Sequence, residues 1–382
     1  MKIAFIATEK LPVPAIRGGA IQIYLESVAA LLAESNHQIT VYSIKDAGLA
    51  DNETLKGIHY IHLSAKHYLQ ELINALKSAK YDLIHLCNRP EWITALADVA
   101  PESKLVLSVH NEMFAEGKIT DKEGHACIER LSQIVTVSHY IGATITRRFP
   151  EAEPITKTVY SGVSLEKYHP NWTEEGRSIR EHMREELGLH DRKVALFVGR
   201  LSKVKGPHIL LQALPSIIRE HPEAMLVFVG SKWFGDDQVN NYVRHLYTLG
   251  ALNPENVGFI KFVKPEDIPG FYSMADLFVC SSQWQEPLAR VHYEAMAAGL
   301  PILTTNRGGN AEVIERGENG YVLDHFDDPE AYADIINQLF SDEGKSRRMG
   351  KKGREIAEHK YGWQRVADEL LEVYESAADG NK

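Results

Sequence analysis

The chain has 382 residues and a formal net charge of −10, from 42 Lys and Arg against 52 Asp and Glu; at about 150 residues per domain this length implies two or three domains, and two are expected. A hydrophobic content of 44%, with 25% charged and 9% aromatic residues, excludes disordered, collagen-like and coiled-coil classes. The acidic balance excludes nucleic acid as a partner held through a basic surface, while leaving room for an anionic small molecule at a local cluster of Arg and Lys.

The sequence opens on MKIAFIATEK, which reads as a first strand over 2–7; its apolar run is broken at Thr8 and Glu9, too early for a secretory leader. No stretch reaches the roughly 18 apolar residues of a spanning helix, so a cytoplasmic protein with no transmembrane segment is expected. Ile21, Leu25, Val28, Ala29 and Leu32 recur at helical spacing and give 20–33 a face to lay on a sheet. Further strands are expected over 38–44, 58–63, 83–87, 104–109, 134–137 and 158–160, with helices in most gaps. Between 166 and 192 the pattern breaks into a polar run holding Pro170, Gly176 and many charges, which places a boundary between residues 1–168 and residues 169–361. A second series of strands follows over 194–198, 225–229, 257–262, 277–280, 302–304 and 321–323. This alternation is that of parallel α/β units, and it implies two Rossmann-like, doubly wound domains in tandem. Val366, Leu370, Leu371 and Val373 make 363–374 a helix with a face to bury, and the polar 377–382 is expected to fray. Cys87, Cys127 and Cys280 are scattered without a CxxC spacing and read as reduced, buried thiols.

Four places carry residues suited to chemistry. Gly18 and Gly19, after Arg17 and just before the first helix, allow close backbone approach of an anion to a helix N-terminus. Gly199-Arg200 with Lys205-Gly206 directly follows the first strand of the second domain, at the carboxyl edge where doubly wound sheets bind ligands; Arg200 offers a bidentate fork and Lys205 a point charge, a pair suited to a diphosphate. In QEPLARVHYEAMAAGLP (285–301) Pro287 suits a first helical position and Gly299 a helix stop, so a helix is expected from Pro287. Glu286 and Glu294 would then stand about 12 Å apart along it, a span that lets one carboxylate take sugar hydroxyls and the other ribose, with the N–H groups of Leu288, Ala289 and Arg290 facing phosphate between them. His110 closes the strand LVLSV and is the fourth candidate. The other histidines show no HExxH pattern or close cluster, so no metal site is inferred; Asp236-Asp237 and Asp327-Asp328 read as turn or capping residues.

Taken together, these blocks resemble the retaining glycosyltransferases of family 4, over nearly the whole chain. The resemblance rests on Gly18-Gly19, Tyr160-Ser161-Gly162-Val163, Gly199-Arg200 with Lys205-Gly206, the Glu286-to-Glu294 block, and Gly308-Gly309 with Glu312. Where the family more usually has Asn-Gly-Val-Asp, this chain has Ser161-Gly162-Val163-Ser164. The resemblance implies a GT-B fold, two facing Rossmann-like domains with a cleft between them, and a C-terminal segment, 362–382, crossing back onto the first domain. It further implies a nucleotide-sugar co-substrate and no other cofactor. Arg200 and Lys205 would stabilise the diphosphate leaving group, Glu294 would bind ribose, Glu286 the donor sugar, and His110 would stand near that sugar on the acceptor side.

By the same resemblance the donor is a uridine diphosphate sugar, glucose or N-acetylglucosamine, its base contacted near Phe262-Val263-Lys264. The acceptor, a glycan, lipid or protein, is open. Phrases such as CNRPEW and CSSQWQEPLARVHYEAMAAGLPI extend the likeness to members of the family tied to the bacterial spore coat. Two alternatives therefore stand beside the transferase: a structural coat component that keeps the fold with little turnover, and a sugar-nucleotide epimerase on the same architecture.

Overall fold

A computed structural model describes residues 1–230, 239–261 and 263–380. The chain divides into two compact units, Met1–Gly162 together with the segment from Trp363, and Val163–Gly362.

The first unit is built on one eight-stranded sheet. Its strands are β1 (Lys2–Ile6), β2 (Gln38–Ile44), β3 (Asn52–Leu55), β4 (Ile58–Leu63), β5 (Leu83–Cys87), β6 (Lys104–Val109), β7 (Gln133–Thr136) and β8 (Thr156–Thr158), in the order β3-β4-β2-β1-β5-β6-β7-β8. All neighbours are parallel except β3, which runs antiparallel to β4. The central strands read as unbroken apolar runs because both faces are covered: Ile3, Phe5, Ala4 and Ile6 are all fully buried, the first two packing with the helix Ala20–Glu34 and the last two into the core on the other face. On the helix Ala20–Glu34 the buried face is Tyr24, Leu25, Val28, Ala29 and Leu32.

The C-terminal helix, Trp363–Asp379, joins the same core through Trp363, Val366, Leu370, Val373 and Tyr374. It is pinned by polar contacts as well: Tyr374 Oη lies 2.6 Å from His85 Nδ1, and Arg365 donates to the carbonyls of Tyr160 and Ser161. Ala377, expected in a fraying tail, is 2% exposed and still within the helix.

The second unit carries a six-stranded parallel sheet: β9 (Lys193–Val198), β10 (Ala224–Val229), β11 (Val257–Ile260), β12 (Leu277–Val279), β13 (Ile302–Thr305) and β14 (Gly320–Leu323), ordered β11-β10-β9-β12-β13-β14. Phe262, expected at the end of β11, and Asp236-Asp237 lie outside the described residues.

The polar run expected to hold the boundary belongs to this unit. Val163 already bridges to Gly362, and its N–H donates to the Tyr361 carbonyl at 2.8 Å, so the division falls ahead of residue 168. Residues 174–186 form a helix, Glu174–Glu186, capped by Thr173, whose hydroxyl accepts from Gly176 N–H at 3.0 Å. Two of its three arginines are structural rather than solvated: Arg180 Nη1 donates to the carbonyls of Ser273, Met274 and Ala275, and Arg184 Nη1 to that of Met274, so the two cap the C-terminal end of the helix Ile268–Met274. Composition alone gave that segment the look of a linker.

Candidate active site

In each sheet the strand order reverses once, between β1 and β5 in the first unit and between β9 and β12 in the second. Such reversals open a crevice at the carboxyl edge, and the expected ligand loops fall there: Gly18-Gly19 after β1, the 199–206 loop after β9, and 281–290 after β12.

In the second unit the two loops are laced together. Gln283 N–H donates to the Val204 carbonyl at 2.8 Å and Ser281 Oγ to that of Lys205 at 3.0 Å. Gly206 makes the approach feasible. It sits at φ 72°, and a Cβ there would stand 2.0 Å from the Ser281 carbonyl oxygen. It also caps the helix Pro207–Glu220, with Pro207 at its first position.

This lacing delivers Lys205 to Glu286. Lys205 Nζ lies 2.6 Å from Glu286 Oε2, which also accepts from Trp284 Nε1 at 2.8 Å and Ser282 Oγ at 2.9 Å. Burial acts to raise the Glu286 pKa, but the Lys205 charge and the three hydrogen bonds outweigh it, so the carboxyl is held below its ordinary range. Lys205 and Glu286, expected to serve phosphate and sugar separately, are thus one ion pair. Arg200 stands on the same loop, half-buried, its carbonyl accepting from Ser202 N–H at 2.9 Å; Gly199 N–H is tied to the Val229 carbonyl at 3.0 Å.

The 286–294 block differs from expectation. The helix starts at Val291 rather than at Pro287, so Glu286 lies on the loop ahead of it and the span along a helix between the two glutamates does not exist. The physical reason is the neighbouring loop 308–310. Asn310 Oδ1 accepts from Ala289 N–H at 3.2 Å, and Gly309 N–H donates to the Glu286 carbonyl at 2.8 Å, holding the segment out of helical geometry. Gly308 fits only as glycine, since a Cβ there would stand 1.9 Å from the Glu286 carbonyl oxygen. The Ala289 N–H, expected to face phosphate, is therefore already engaged by Asn310. The helix stop stands as read: Gly299 at φ 72° ends it in a Schellman motif, with Leu300 N–H on Ala295 and Gly299 N–H on Met296.

Glu294 sits on the helix Val291–Ala297, its Oε2 accepting from Tyr272 Oη at 2.8 Å and its Oε1 3.8 Å from Arg290 Nη2. Val263 follows β11 and is half-buried. In the first unit Gly18 and Gly19 precede their helix at φ 73° and 103°, and neighbouring Arg17 is held bidentately by Asp46. His110 follows β6 directly; its N–H donates to Asn88 Oδ1 at 2.7 Å, and its ring meets Tyr24 edge-on at 5.1 Å. Asp328 caps the helix Pro329–Ser341 through Glu330 N–H. Among the described residues no three His, Cys, Asp or Glu side chains group as a metal set, and no helix is long and apolar enough to cross a membrane. Cys87, Cys127 and Cys280 are buried thiols in no disulfide.

Sequence reasoning missed Ser282, Trp284, Tyr272 and Asn310. The first two stand four and two residues before Glu286, on the same loop after β12.

Two parallel-sheet α/β units, each with one reversal of strand order, are the architecture of the GT-B fold. Residues 179–356 match the family described as Glycosyl transferases group 1, and residues 18–167 that described as Glycosyltransferase Family 4. The chain belongs to this glycosyltransferase family: it is 63% identical over 375 residues to Spore coat protein SA of Bacillus subtilis (strain 168), covering 98% of this chain and 99% of that one. It is also 47% identical over 376 residues to YtcC of the same organism, which carries a provisional glycosyltransferase name, covering 98% and 92%. Among solved structures, Anabaena Alr3699/HepE in complex with UDP-glucose has the same fold, with a TM-score of 0.79, 22% identity, and coverage of 98% of this chain and 100% of that one.

Proposed function

We propose that the protein transfers a sugar from a uridine diphosphate donor, glucose or N-acetylglucosamine, to an acceptor hydroxyl with retention of configuration and without a divalent cation. The observation that carries this reading is the Lys205–Glu286 pair at the sheet reversal of the second unit, with Arg200 on the same loop. It joins cations for a leaving diphosphate to a buried carboxylate for sugar hydroxyls. An ammonium has three protons and Glu286 takes one, so Lys205 can hold the carboxylate and a phosphate oxygen together.

In the proposed step the bond between the anomeric carbon and the diphosphate oxygen breaks, its electron pair passing to the diphosphate. Arg200 and Lys205, with the N–H groups of Leu288 and Arg290, stabilise that growing charge more than the ground state. The acceptor oxygen attacks from the same face and its proton goes to a diphosphate oxygen, so no protein nucleophile is required. Glu294 takes the ribose, exchanging its long contact with Arg290 for hydroxyls, and Val263 lies on the side assigned to the base. In the first unit Gly18 and Gly19 are assigned to an anionic group of the co-substrate, and His110 to the acceptor side of the donor sugar. The uridine assignment draws support from the neighbour crystallised with UDP-glucose.

A thermal-shift panel of nucleoside diphosphates and sugar nucleotides tests the donor, since a ligand that binds only the native state raises its stability by mass action. Stabilisation by UDP and UDP-sugars above their GDP and ADP counterparts is expected; no shift with any of them overturns the reading. A coat-structural role with little turnover is the second reading, favoured by the name of the 63%-identical relative. Release of UDP from UDP-glucose, measured over hours at high protein concentration, separates the two.

A further inference from the structure

We propose that Trp284 and Ser282 are positioning residues that lock the Glu286 carboxylate so that a single oxygen, Oε1, reads the donor sugar. The proposal rests on the reading of Glu286 as the sugar contact and adds what holds it and what it can accept.

The geometry is one-sided. Lys205 Nζ at 2.6 Å, Trp284 Nε1 at 2.8 Å and Ser282 Oγ at 2.9 Å all converge on Oε2. Two carboxylate oxygens share about four lone-pair sites, so three donors fill Oε2, and no substrate hydroxyl can bind it without displacing one of them. Among the described residues none donates to Oε1. The backbone beneath is fixed too: the Glu286 carbonyl accepts from Gly309 N–H at 2.8 Å, the Ser282 carbonyl from Thr305 Oγ1 at 2.8 Å, and Gln285 Oε1 from Gly308 N–H at 2.7 Å. A carboxylate gripped from three directions on a tethered loop has no rotamer to search when the sugar arrives, which is the preorganisation that binding and catalysis gain from.

Trp284 has a distinct part in this. An indole N–H only donates, so it can hold an ionised acceptor and never competes for a sugar hydroxyl proton, whereas a hydroxyl could turn and do so. The same three donors favour the charged carboxyl over the neutral one, in line with its lowered pKa. What remains on Oε1 is an acceptor with two lone pairs, suited to a pair of adjacent hydroxyls on a pyranose ring.

The test compares UDP, UDP-glucose and UDP-N-acetylglucosamine binding to the full-length protein and to Trp284→Phe, Ser282→Ala and Glu286→Gln. The readout is the affinity gained by adding the sugar to UDP. Trp284→Phe and Ser282→Ala are each expected to lose about tenfold of that gain, since hydrogen bonds to charged groups are the strong class, while UDP itself binds within twofold of wild type. In Trp284→Phe the acid limb of sugar-nucleotide binding is also expected to move to higher pH, because a donor that lowers the Glu286 pKa is gone; a merely structural change would leave that limb in place. Loss of the sugar gain in Glu286→Gln, with the gain and acid limb intact in both other variants, overturns the positioning role alone. Retention of the gain in Glu286→Gln, or a wild type that binds neither sugar nucleotide tighter than UDP, overturns the underlying assignment of Glu286.

Discussion

Lys205 Nζ and Glu286 Oε2, 81 residues apart in sequence, meet at 2.6 Å through side chains that are 19% and 8% exposed. The contact exists because β9 and β12 are sheet neighbours, so the loops leaving their carboxyl ends lie side by side. A pair this far from water stabilises the fold only modestly while whole, but removing one partner strands a buried charge.

Lys205→Ala is therefore expected to lose about 2–3 kcal/mol of stability as well as turnover, and pairing Lys205→Met with Glu286→Gln should recover most of the stability without the activity. Denaturant unfolding of the two variants decides the matter. A single Lys205→Ala protein as stable as wild type would remove the energetic role given to the pair.

Arg200→Ala should behave differently. Its assigned work is to meet charge that appears in the transition state, and losing one such donor typically costs about 3–4 kcal/mol of barrier, roughly a hundredfold to a thousandfold in rate. A melting temperature near wild type with that loss of turnover is the expected pattern. Near-normal turnover would take Arg200 out of the diphosphate clamp.

The contrast shows what could be read in advance. Strands buried on both faces announce themselves as apolar runs, and β1, β2, β4, β5 and β6 fall within a residue of their expected ends. β3 escaped because it is an exposed edge: Asn52-Glu53-Thr54-Leu55 has no apolar alternation, and its turn to β4, Lys56-Gly57 at φ 50° and 77°, uses a lysine where hairpin turns favour Asn or Asp. The glutamates of 286 and 294 were visible as residue types, but their geometry was not, since helix initiation there is set by Asn310 and Gly309 from another loop. The Lys205–Glu286 contact is likewise a product of strand order, which no local pattern encodes.

His85 provides a pH prediction in the first unit. It is fully buried, with Nδ1 against Tyr374 Oη and Nε2 against Ser108 Oγ, and burial, with the nearby His110, pushes its pKa down to about 3. Between the ordinary His value of about 6.5 and that depressed value, the unfolded chain binds a proton the folded one refuses. The stability His85 contributes is full above about pH 6.5 and falls as pH drops, by up to ~1.4 kcal/mol per pH unit. His85→Gln should flatten this part of the acid slope in unfolding measurements between pH 6 and 4; an unchanged slope would show that His85 titrates normally.

The C-terminal helix separates two adjacent leucines. Leu370 is fully buried in the core of the first unit, while Leu371 packs only partly against it. Leu370→Ala is expected to cost about 2–4 kcal/mol, in the range for a buried leucine, and Leu371→Ala under about 1 kcal/mol. Equal costs would mean the helix presents a different face.

The metal question can be settled with a chelator. A transferase that uses Mg²⁺ or Mn²⁺ generally holds the ion with carboxylates beside the diphosphate. The two carboxylates assigned to the donor are engaged otherwise: Glu286 Oε2 by Lys205, Trp284 and Ser282, and Glu294 by Tyr272 and Arg290. An ion between them would have to displace the Lys205 ammonium and share a crowded site with it, at the cost of like-charge repulsion. In the proposed mechanism Arg200, Lys205 and the backbone N–H groups supply the positive potential at the place where leaving-group charge grows. Transfer or donor hydrolysis is therefore expected to continue in excess chelator, with only the modest change that ionic strength imposes on exposed charges. Complete loss on chelation, restored by Mg²⁺ or Mn²⁺ and not by matched monovalent salt, would overturn this expectation and with it the assignment of Arg200 and Lys205 to the leaving group.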